Sequence, residues 1–425
     1  RYILFVILFN LHKRFYTTLF VKLALVLLLG YLTLSVVYQL VLAVAYVILK
    51  EPPSGASEPI NCFAIVVPAH NEELLISLLC NNLSHLNYPN DHYEVFVIAD
   101  NCTDSTVEMC AGYPVNVLCR NDQDRVGKGY ALEWAFQQIP LSNFEAVFVI
   151  DADTTVHNNV LNELNKMLNA GEAAIQCYIN VPNRQESWFT QLIAVSRTIN
   201  NLLYHSAKYK LGLSAYLMGT GMCFSTKLMD EHSWNAFTLS EDWEYYANLI
   251  SFGKKVAFAS RAVVFQQESR SIKQATTQRL RWASGRFLII KRLAFDLFLK
   301  GIRYRNYSMS DASLALIFPN WSLQINLILV ALVSSFFLPA SLFRSISFGL
   351  AVSLLCAQAA ILLAGVCLAG DYWRVFKAIL VSPIFLAWKL VIDLLCVSGM
   401  YHGKTWIRTK RHVSKIYEKN TDKIL

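Results

Sequence analysis

With 425 residues, 55% of them hydrophobic, and a mean hydropathy of +0.36, the chain is too apolar for an ordinary soluble protein and long enough to hold a full domain beside membrane segments. Ten cysteines without repeated Cys-x-x-Cys pairs or Cys/His ligand spacing argue against a disulfide framework or a zinc site. The net charge of +8 gathers at the flanks of apolar segments and between Arg279 and Arg305, which favours lipid headgroups and a diphosphate over nucleic acid as partners.

Residues 21–49 carry no charge after Lys22, and a bilayer core of about 30 Å needs about 20 such residues, so a membrane-crossing helix is expected there. A cleaved leader is the alternative, though its apolar region would be shorter. Residues 2–10 are apolar too and read as part of a hairpin or of a truncated earlier helix. A Pro/Gly/Ser-rich linker at 51–59 then leads into a domain, residues 60–285, where short apolar runs alternate with helical patterns. Strands are expected at 62–67, 93–99, 115–119 and 146–150, and helices at 72–86, 105–111, 129–138 and 158–169. The class is therefore α/β, with a mostly parallel, Rossmann-like sheet that binds ligands beyond the carboxyl ends of its strands. Residues 286–310 read as amphipathic helices lying at a membrane surface. Apolar stretches return at 312–338, 346–369 and 375–400 within a C-terminal membrane region, residues 311–402; Pro383, Lys389 and Asp393 interrupt the last stretch, which lies in the interface or re-enters if it does not cross. A basic tail, residues 403–425, follows.

His12, Lys13 and Arg14 before the first span, and the basic tail after the last, place both ends on the cytoplasmic side. With the central domain also cytoplasmic, the number of crossings does not close, so either 2–10 or 375–400 is miscounted.

The residues at the strand ends are polar: Pro68-Ala69-His70-Asn71-Glu72-Glu73, Asp100-Asn101-Cys102-Thr103-Asp104 and Asp151-Ala152-Asp153. Asn71 and Asp104 can each be simple helix caps. Taken together, carboxylates without zinc-type ligands favour a hard cation, Mg²⁺ or Mn²⁺, with a diphosphate. In an extended chain Asp151 and Asp153 project to one side and can share that metal.

Seven segments then stand in order: Val66 to Glu72, Asp100 to Asp104, Gly127-Lys128-Gly129, Asp151-Ala152-Asp153, Gly219-Thr220-Gly221-Met222, Ser240-Glu241-Asp242 and Gln278-Arg279-Leu280-Arg281-Trp282. With them the chain resembles the family-2 glycosyltransferases, which include cellulose, chitin and hyaluronan synthases and ceramide glucosyltransferases. The resemblance covers about residues 61–286 and implies a GT-A fold and an inverting hexosyltransferase. It implies that Pro68, Glu72, Asp100, Asp104, Lys128, Asp151, Gln278 and Arg281 bind the donor, and that Asp151 and Asp153 hold the metal under its diphosphate. It makes Asp242 the general base with Glu241 orienting it, and gives Gly219, Thr220, Gly221 and Trp282 to the acceptor. Ser240 departs from the family's threonine. Plainer readings exist for several of these: an exposed acidic helix start at Glu241-Asp242, a turn at Gly219–Met222, and a basic surface helix at 279–291 with Trp282 as an interfacial anchor.

The family habit favours a UDP-sugar as donor, a lipid or glycan hydroxyl as acceptor, and a bacterial plasma membrane location with a cytoplasmic catalytic domain. A homo-oligomer stays open. The small number of spans favours single transfer over a processive, polymer-secreting synthase. A non-catalytic membrane protein with a degenerate transferase domain is the rival of another class, disfavoured because Asp151, Asp153, Asp242 and Arg281 are intact. A dinucleotide-binding dehydrogenase is disfavoured because no Gly-x-Gly-x-x-Gly follows the first strand.

Overall fold

In the computed structural model, which describes residues 2–53, 55–370 and 372–400, the apolar run Phe63–Ala69 becomes the central strand β1. It pairs in parallel with β2 (Tyr93–Asp100) and β4 (Ala146–Val149), and β2 pairs in parallel with β3 (Asn116–Arg120). β1 and β4, with a strand on either side and both faces covered, read as continuous apolar runs without alternation. All four strands lie within two residues of their expected positions.

Four further strands escaped the sequence reading: β5 (Thr154–Val156), β6 (Ala174–Asn180), β7 (Met222–Ser225) and β8 (Ala257–Gln266). They extend the sheet to the order β3-β2-β1-β4-β7-β6-β8-β5. β7 runs antiparallel to β4 and β6, and β5 antiparallel to β8, so the sheet is mixed but mostly parallel. Strands of three and four residues, as β5 and β7 are, give no readable period; β6 and β8 do carry apolar runs that were a usable signal.

The helices of the domain are α2 (Ile76–Leu83), α3 (Lys128–Gln138), α4 (Val160–Asn169), α5 (Trp188–Thr198), α6 (Ala207–Lys210), α7 (Thr226–Glu231), α8 (Glu241–Ser251) and α9 (Ile272–Ile289); α1 (Tyr2–Ile48) precedes them. A π-helical segment, Ile199–Ser206, joins α5 to α6. The helix expected at 72–86 is shorter than read, and the one at 105–111 is only a 3₁₀ turn, Glu108–Cys110. The reason is local: Asp104 Oδ1 accepts from the N–H and hydroxyl of Thr106, which holds a turn where a helix would start. Alternate residues of β1 enter two cores, Ala64 and Val66 with Leu132 and Tyr245, Phe63, Ile65 and Val67 with Ile76 and Leu161.

After α9 come α10 (Phe295–Arg303), α11 (Tyr307–Ile317), α12 (Trp321–Phe336), α13 (Leu342–Ala369), α14 (Tyr372–Leu380) and α15 (Ser382–Val397). Leu19–Ile48 and α13 are long and apolar enough to cross a membrane, while α11 with α12 and α14 with α15 are bent pairs, by 68° and 60°. Residues 2–10 belong to the same continuous helix as the first expected span, not to a hairpin. α1, α12 and α13 pack through Leu25, Leu29, Leu32, Ile328, Ala331, Ala351 and Leu354. Within this bundle Gln39 donates to Gln324, Gln324 to Ser35 and Gln358 to Gln39, and the Trp321 indole donates to Gln358; each amide needs such a partner in an apolar setting. Lys22 lies over Phe343 at the far end, and Arg184 reaches the Ala369 carbonyl at the domain end, so α13 returns to the domain. α15 then lies along α9, with Trp388 donating to Thr276 and Cys396 to the Leu280 carbonyl. The segment at 375–400 thus splits into two helices held at the domain side, and Asp393 is buried beside Lys389 and Asn320. The basic tail lies outside the described residues.

Candidate active site

The carboxyl ends of β1, β2 and β4 open on a cavity of about 780 Å³. β4 stops at Val149, opposite Val66, so the missing N–H of Pro68 faces no strand on that side and leaves the edge open. Pro68, Glu72 and Asp100 line the first end of the cavity. Asp100 is buried, and Arg120 Nη1 donates to its Oδ1 at 2.6 Å. Burial raises the Asp100 pKa, and the guanidinium opposes that rise. Arg120, at the end of β3, was not singled out in the sequence; a lone arginine closing an apolar strand was the available signal. Asp104 does not line the cavity. Its Oδ1 accepts from Thr106 and its Oδ2 from the Glu73 N–H, so it holds a turn and caps no helix.

Lys128, the first residue of α3, stands at the centre. Its ammonium donates to Asp151 Oδ1 and to the Gly219 carbonyl, each at 2.5 Å, and lies 3.6 Å from Glu241 Oε1. Burial by itself would lower its pKa, but Asp151 and Glu241 overcome that effect and hold it charged. Asp151-Ala152-Asp153 is not extended: the Thr154 N–H donates to the Asp151 carbonyl, closing a turn. The alternation argued from an extended chain therefore does not apply, yet the turn brings both carboxyl groups to the cavity wall. Among the described residues no three His, Cys, Asp or Glu side chains converge as a ready metal cage. Asp151 and Asp153 are the oxygen donors that would hold a hard divalent ion, whose other ligands would be phosphate oxygens and water; the Lys128 ammonium on Asp151 opposes such an ion unless the diphosphate's negative charge arrives with it.

Of the glycine segment only Gly219 reaches the cavity. Its φ is +84°, and a Cβ there would stand 3.4 Å from Asp242 Oδ2, so glycine allows the carbonyl to face Lys128. Thr220 is fully buried behind it; its hydroxyl accepts from the Asp151 N–H at 3.0 Å and its carbonyl from Gln176 at 2.9 Å. Gly221 packs against Cys177 and Val264. Thr220 therefore supports the Asp151 turn, Gly221 packs behind it, and neither lines the cavity.

Ser240-Glu241-Asp242 opens α8, where acidic side chains suit the helix N-terminus. The loop before it is tied down by Glu244, whose Oε2 accepts from the N–H groups of Phe237 and Thr238 at 2.8 Å each. Glu241 and Asp242 face the cavity, half-buried, so this is not an exposed acidic helix start. Burial first, and then the Glu241 charge, push the Asp242 pKa up to about 7. Burial also raises Glu241, with Lys128 opposing.

α9 supplies Gln278, Arg281 and Trp282 to the same cavity. It is not a basic surface helix: Arg279 binds Glu268 at 2.6 Å and covers the Trp282 ring at 4.4 Å, and Arg286 points to the carbonyls of Ala315 and Phe318. The same cavity is also lined by apolar and aromatic side chains of α1, α12, α13 and α15, among them Leu42, Trp321, Leu327, Ile361 and Phe385. Tyr38, Asn320 and Trp321 are lining residues that the sequence could not mark, because their role depends on how α1 and α12 meet the domain.

The fold is similar to that of a mannosyltransferase from Pyrobaculum calidifontis, solved with GDP-Man and Mn²⁺, with a TM-score of 0.56 at 16% identity over 90% of this chain and 99% of that one. In sequence the chain is 26% identical over 259 residues to the probable glycosyltransferase YdaM of Bacillus subtilis, covering 55% of this chain and 60% of that protein. It is 29% identical over 229 residues to a beta-monoglucosyldiacylglycerol synthase of Nostoc, covering 52% of this chain and 48% of the synthase. A hyaluronan synthase of Streptococcus pyogenes matches at 27% over 173 residues, 36% of this chain and 39% of that one. The chain thus spans about half the length of the curated relatives it matches. Residues 59–285, more than half of the chain, match the model of the glycosyltransferase-like family 2, with the strand ends, the Asp151 turn and the α8 and α9 motifs inside the match; the chain belongs to that family.

Proposed function

We propose that the protein transfers a sugar, with inversion, from a nucleotide-diphosphate sugar to a hydroxyl of a lipid or lipid-linked glycan at a membrane surface. The observation that carries this reading is the single cavity running from the Lys128–Asp151 end into the apolar helices α1, α12, α13 and α15. A soluble acceptor needs no such wall.

In this reading Pro68, Glu72, Asp100 and Lys128 bind the nucleotide and its diphosphate, with Arg281 adding charge-assisted hydrogen bonds. Asp151 and Asp153 hold Mg²⁺ or Mn²⁺, which when bound neutralises charge on the departing diphosphate. Gln278 borders the donor, and Trp282 offers a flat apolar platform to the acceptor. Asp242, raised towards neutrality by its burial, takes the acceptor proton as the hydroxyl oxygen forms its bond to the anomeric carbon; the bond to the diphosphate breaks on the opposite face. Glu241 keeps Lys128 and Asp242 in register. UDP is the favoured nucleotide by family habit. GDP belongs in the test because the similar mannosyltransferase was solved with GDP-Man. α10 leaves Phe295, Leu299 and Ile302 exposed beside Lys300 and Arg303, a composition suited to lying on the same membrane face.

The test is nucleotide release from UDP- and GDP-sugars by the purified chain in detergent, with Mg²⁺, Mn²⁺ or EDTA, with and without membrane lipid. One donor turned over, stopped by EDTA and by Asp242→Asn and stimulated by lipid, is the expected result. Turnover that ignores lipid and yields a ladder of growing polymer would replace lipid transfer with processive synthesis. A folded preparation that releases nucleotide from no donor would leave the reading without support.

A further inference from the structure

Where α5, α9 and α15 meet, the cavity wall holds more positive charge than it pairs. On α9, Arg281 lies next to Glu241 at the donor end, whereas Arg279 stands about 160° away around the helix. Arg286 follows Arg279 by two turns on the same side. Arg197, in α5, and Arg279 share one carboxylate, Glu268, at 3.2 and 2.6 Å, and that side chain is only 3% exposed. Lys389 is matched by Asp393 at 2.5 Å. Arg286 has no carboxylate partner among the described residues. Its Nη2 donates to two main-chain carbonyls at the end of α11, its guanidinium lies 5.5 Å over the Trp243 ring, and its Nε is buried without a hydrogen-bond partner. All four cations line the cavity, set against two carboxylates.

Unbalanced charge in a partly dry wall is costly unless a counter-charge joins it. In the reading above the diphosphate of the donor sits at Lys128, the Asp151 turn and Arg281, and Arg279 stands about 160° around α9 from Arg281. The cavity is also lined by Leu327, Ile361 and Phe385, and Phe385 lies one turn before Lys389 on α15, so an anion that suits this wall carries an apolar chain.

We infer that the acceptor is an anionic lipid whose phosphate is held beside Arg286, Arg279 and Arg197, with its chains along α12, α13 and α15. This rests on the lipid-acceptor reading above and narrows it to a class. The phosphate is a handle and not the nucleophile: the hydroxyl that attacks is carried by the headgroup or by a glycan attached to it, its proton goes to Asp242, and the nucleoside diphosphate leaves.

The experiment is tryptophan fluorescence titration of the full chain in a neutral detergent, since Trp282, Trp321 and Trp388 line the cavity. Two matched pairs differ only in the charged head: polyprenyl phosphate against polyprenol, and phosphatidylglycerol against diacylglycerol. The phosphate member of at least one pair binds tenfold or more tightly, and which pair responds tells the lipid-linked glycan carrier from the bulk phospholipid. Arg279→Gln with Arg286→Gln brings that ratio close to one, while Arg286→Lys retains part of it. Equal binding of charged and neutral members, or a preference that survives the double substitution, overturns the inference. So does inorganic phosphate competing as well as the lipid. Should the double variant fail to fold, the salt dependence of the parent's ratio decides: collapse of the preference in high salt supports the charge contact, and indifference to salt overturns it. Sugar transfer to diacylglycerol without any charge preference removes this inference alone, whereas no transfer to any lipid removes the acceptor reading beneath it.

Discussion

Lys128 balances three carboxyl groups that would otherwise repel one another in a half-dry cavity: Asp151 in direct contact, Glu241 within ion-pair distance, and Asp242 through space. The ionisation of Asp242, and with it the pH dependence of the reaction, depends on this balance. With Asp242 raised to about 7, kcat/KM of the free enzyme climbs as pH rises through that value, and Asp242→Asn lowers kcat by about 10²–10⁴-fold. Lys128→Met removes a charge that stabilises the ionised Asp242, so the rising limb of the pH–rate profile moves to higher pH; a limb that moves to lower pH contradicts the assignment. The same shift bears on stability. An unfolded aspartate titrates near ~3.9, so between that pH and about 7 the folded protein keeps a proton that the unfolded chain has lost. The cost of the buried carboxyl is absent at low pH, grows through this window and is complete above it. Asp242→Asn removes the cost, so in the absence of ligands the variant melts a few degrees above the parent at pH 8 and level with it near pH 4, as read by thermal unfolding in detergent.

Among the elements, α9 does most to shape the site, because it approaches α8 at Gly285. A Cβ at that position would run into the Ser240 side chain and its backbone N–H. Gly285→Ala therefore pushes on the residue directly before Glu241 and Asp242. Overpacking of this kind costs about 1–3 kcal/mol. A drop in kcat together with a lower unfolding midpoint, at near-normal nucleotide affinity, is the expected outcome; unchanged kcat would show that α8 has room to give. The first-half strands were legible because parallel, doubly covered strands must be apolar throughout, as Phe63–Ala69 and Ala146–Val149 are. The 105–111 segment has helical periodicity as well, but Asp104 offers Thr106 a local hydrogen bond that wins over helix formation. β7 was hidden because its four residues follow a glycine segment that reads as a turn, and its antiparallel pairing with β4 depends on a partner more than seventy residues away.

At the scale of the whole molecule, a buried ion pair ties membrane helices to the domain. Lys208, fully buried in α6, meets Asp311 of α11 at 2.9 Å, and the Tyr38 hydroxyl of α1 donates to the other oxygen of Asp311 at 2.6 Å. Removing one partner leaves the other charge stranded, which costs about 3–5 kcal/mol, whereas replacing both by apolar residues can be close to neutral. Lys208→Met and Asp311→Leu singly are thus expected to depress the melting temperature strongly, and together to restore most of the loss. If the double variant is as unstable as the worse single one, the pair is not acting as an isolated unit. Because this triad joins α1, α6 and α11 beside the cavity, the single substitutions also loosen the acceptor end and raise the acceptor KM more than the donor KM.

From sequence alone the α/β class, the membrane helices, the four leading strands and the acidic strand ends were readable, since each depends on nearest neighbours, apolar periodicity or a motif within a few residues. Asp151, Asp153, Asp242 and Lys128 stand out in the sequence likewise, and the fold places all four on one cavity. What needed the tertiary structure was the sorting among similar residues. Asp100 meets Arg120 at the cavity while Asp104 closes a turn, Gly219 faces the cavity while Thr220 supports the Asp151 turn from behind, and Arg279 and Arg286 turn inward from a helix that reads as a basic surface one. The cavity's apolar half was decided there too. It is made by α1, α12, α13 and α15 converging from both ends of the chain, and such burial depends on contacts between residues hundreds of positions apart that no local pattern encodes.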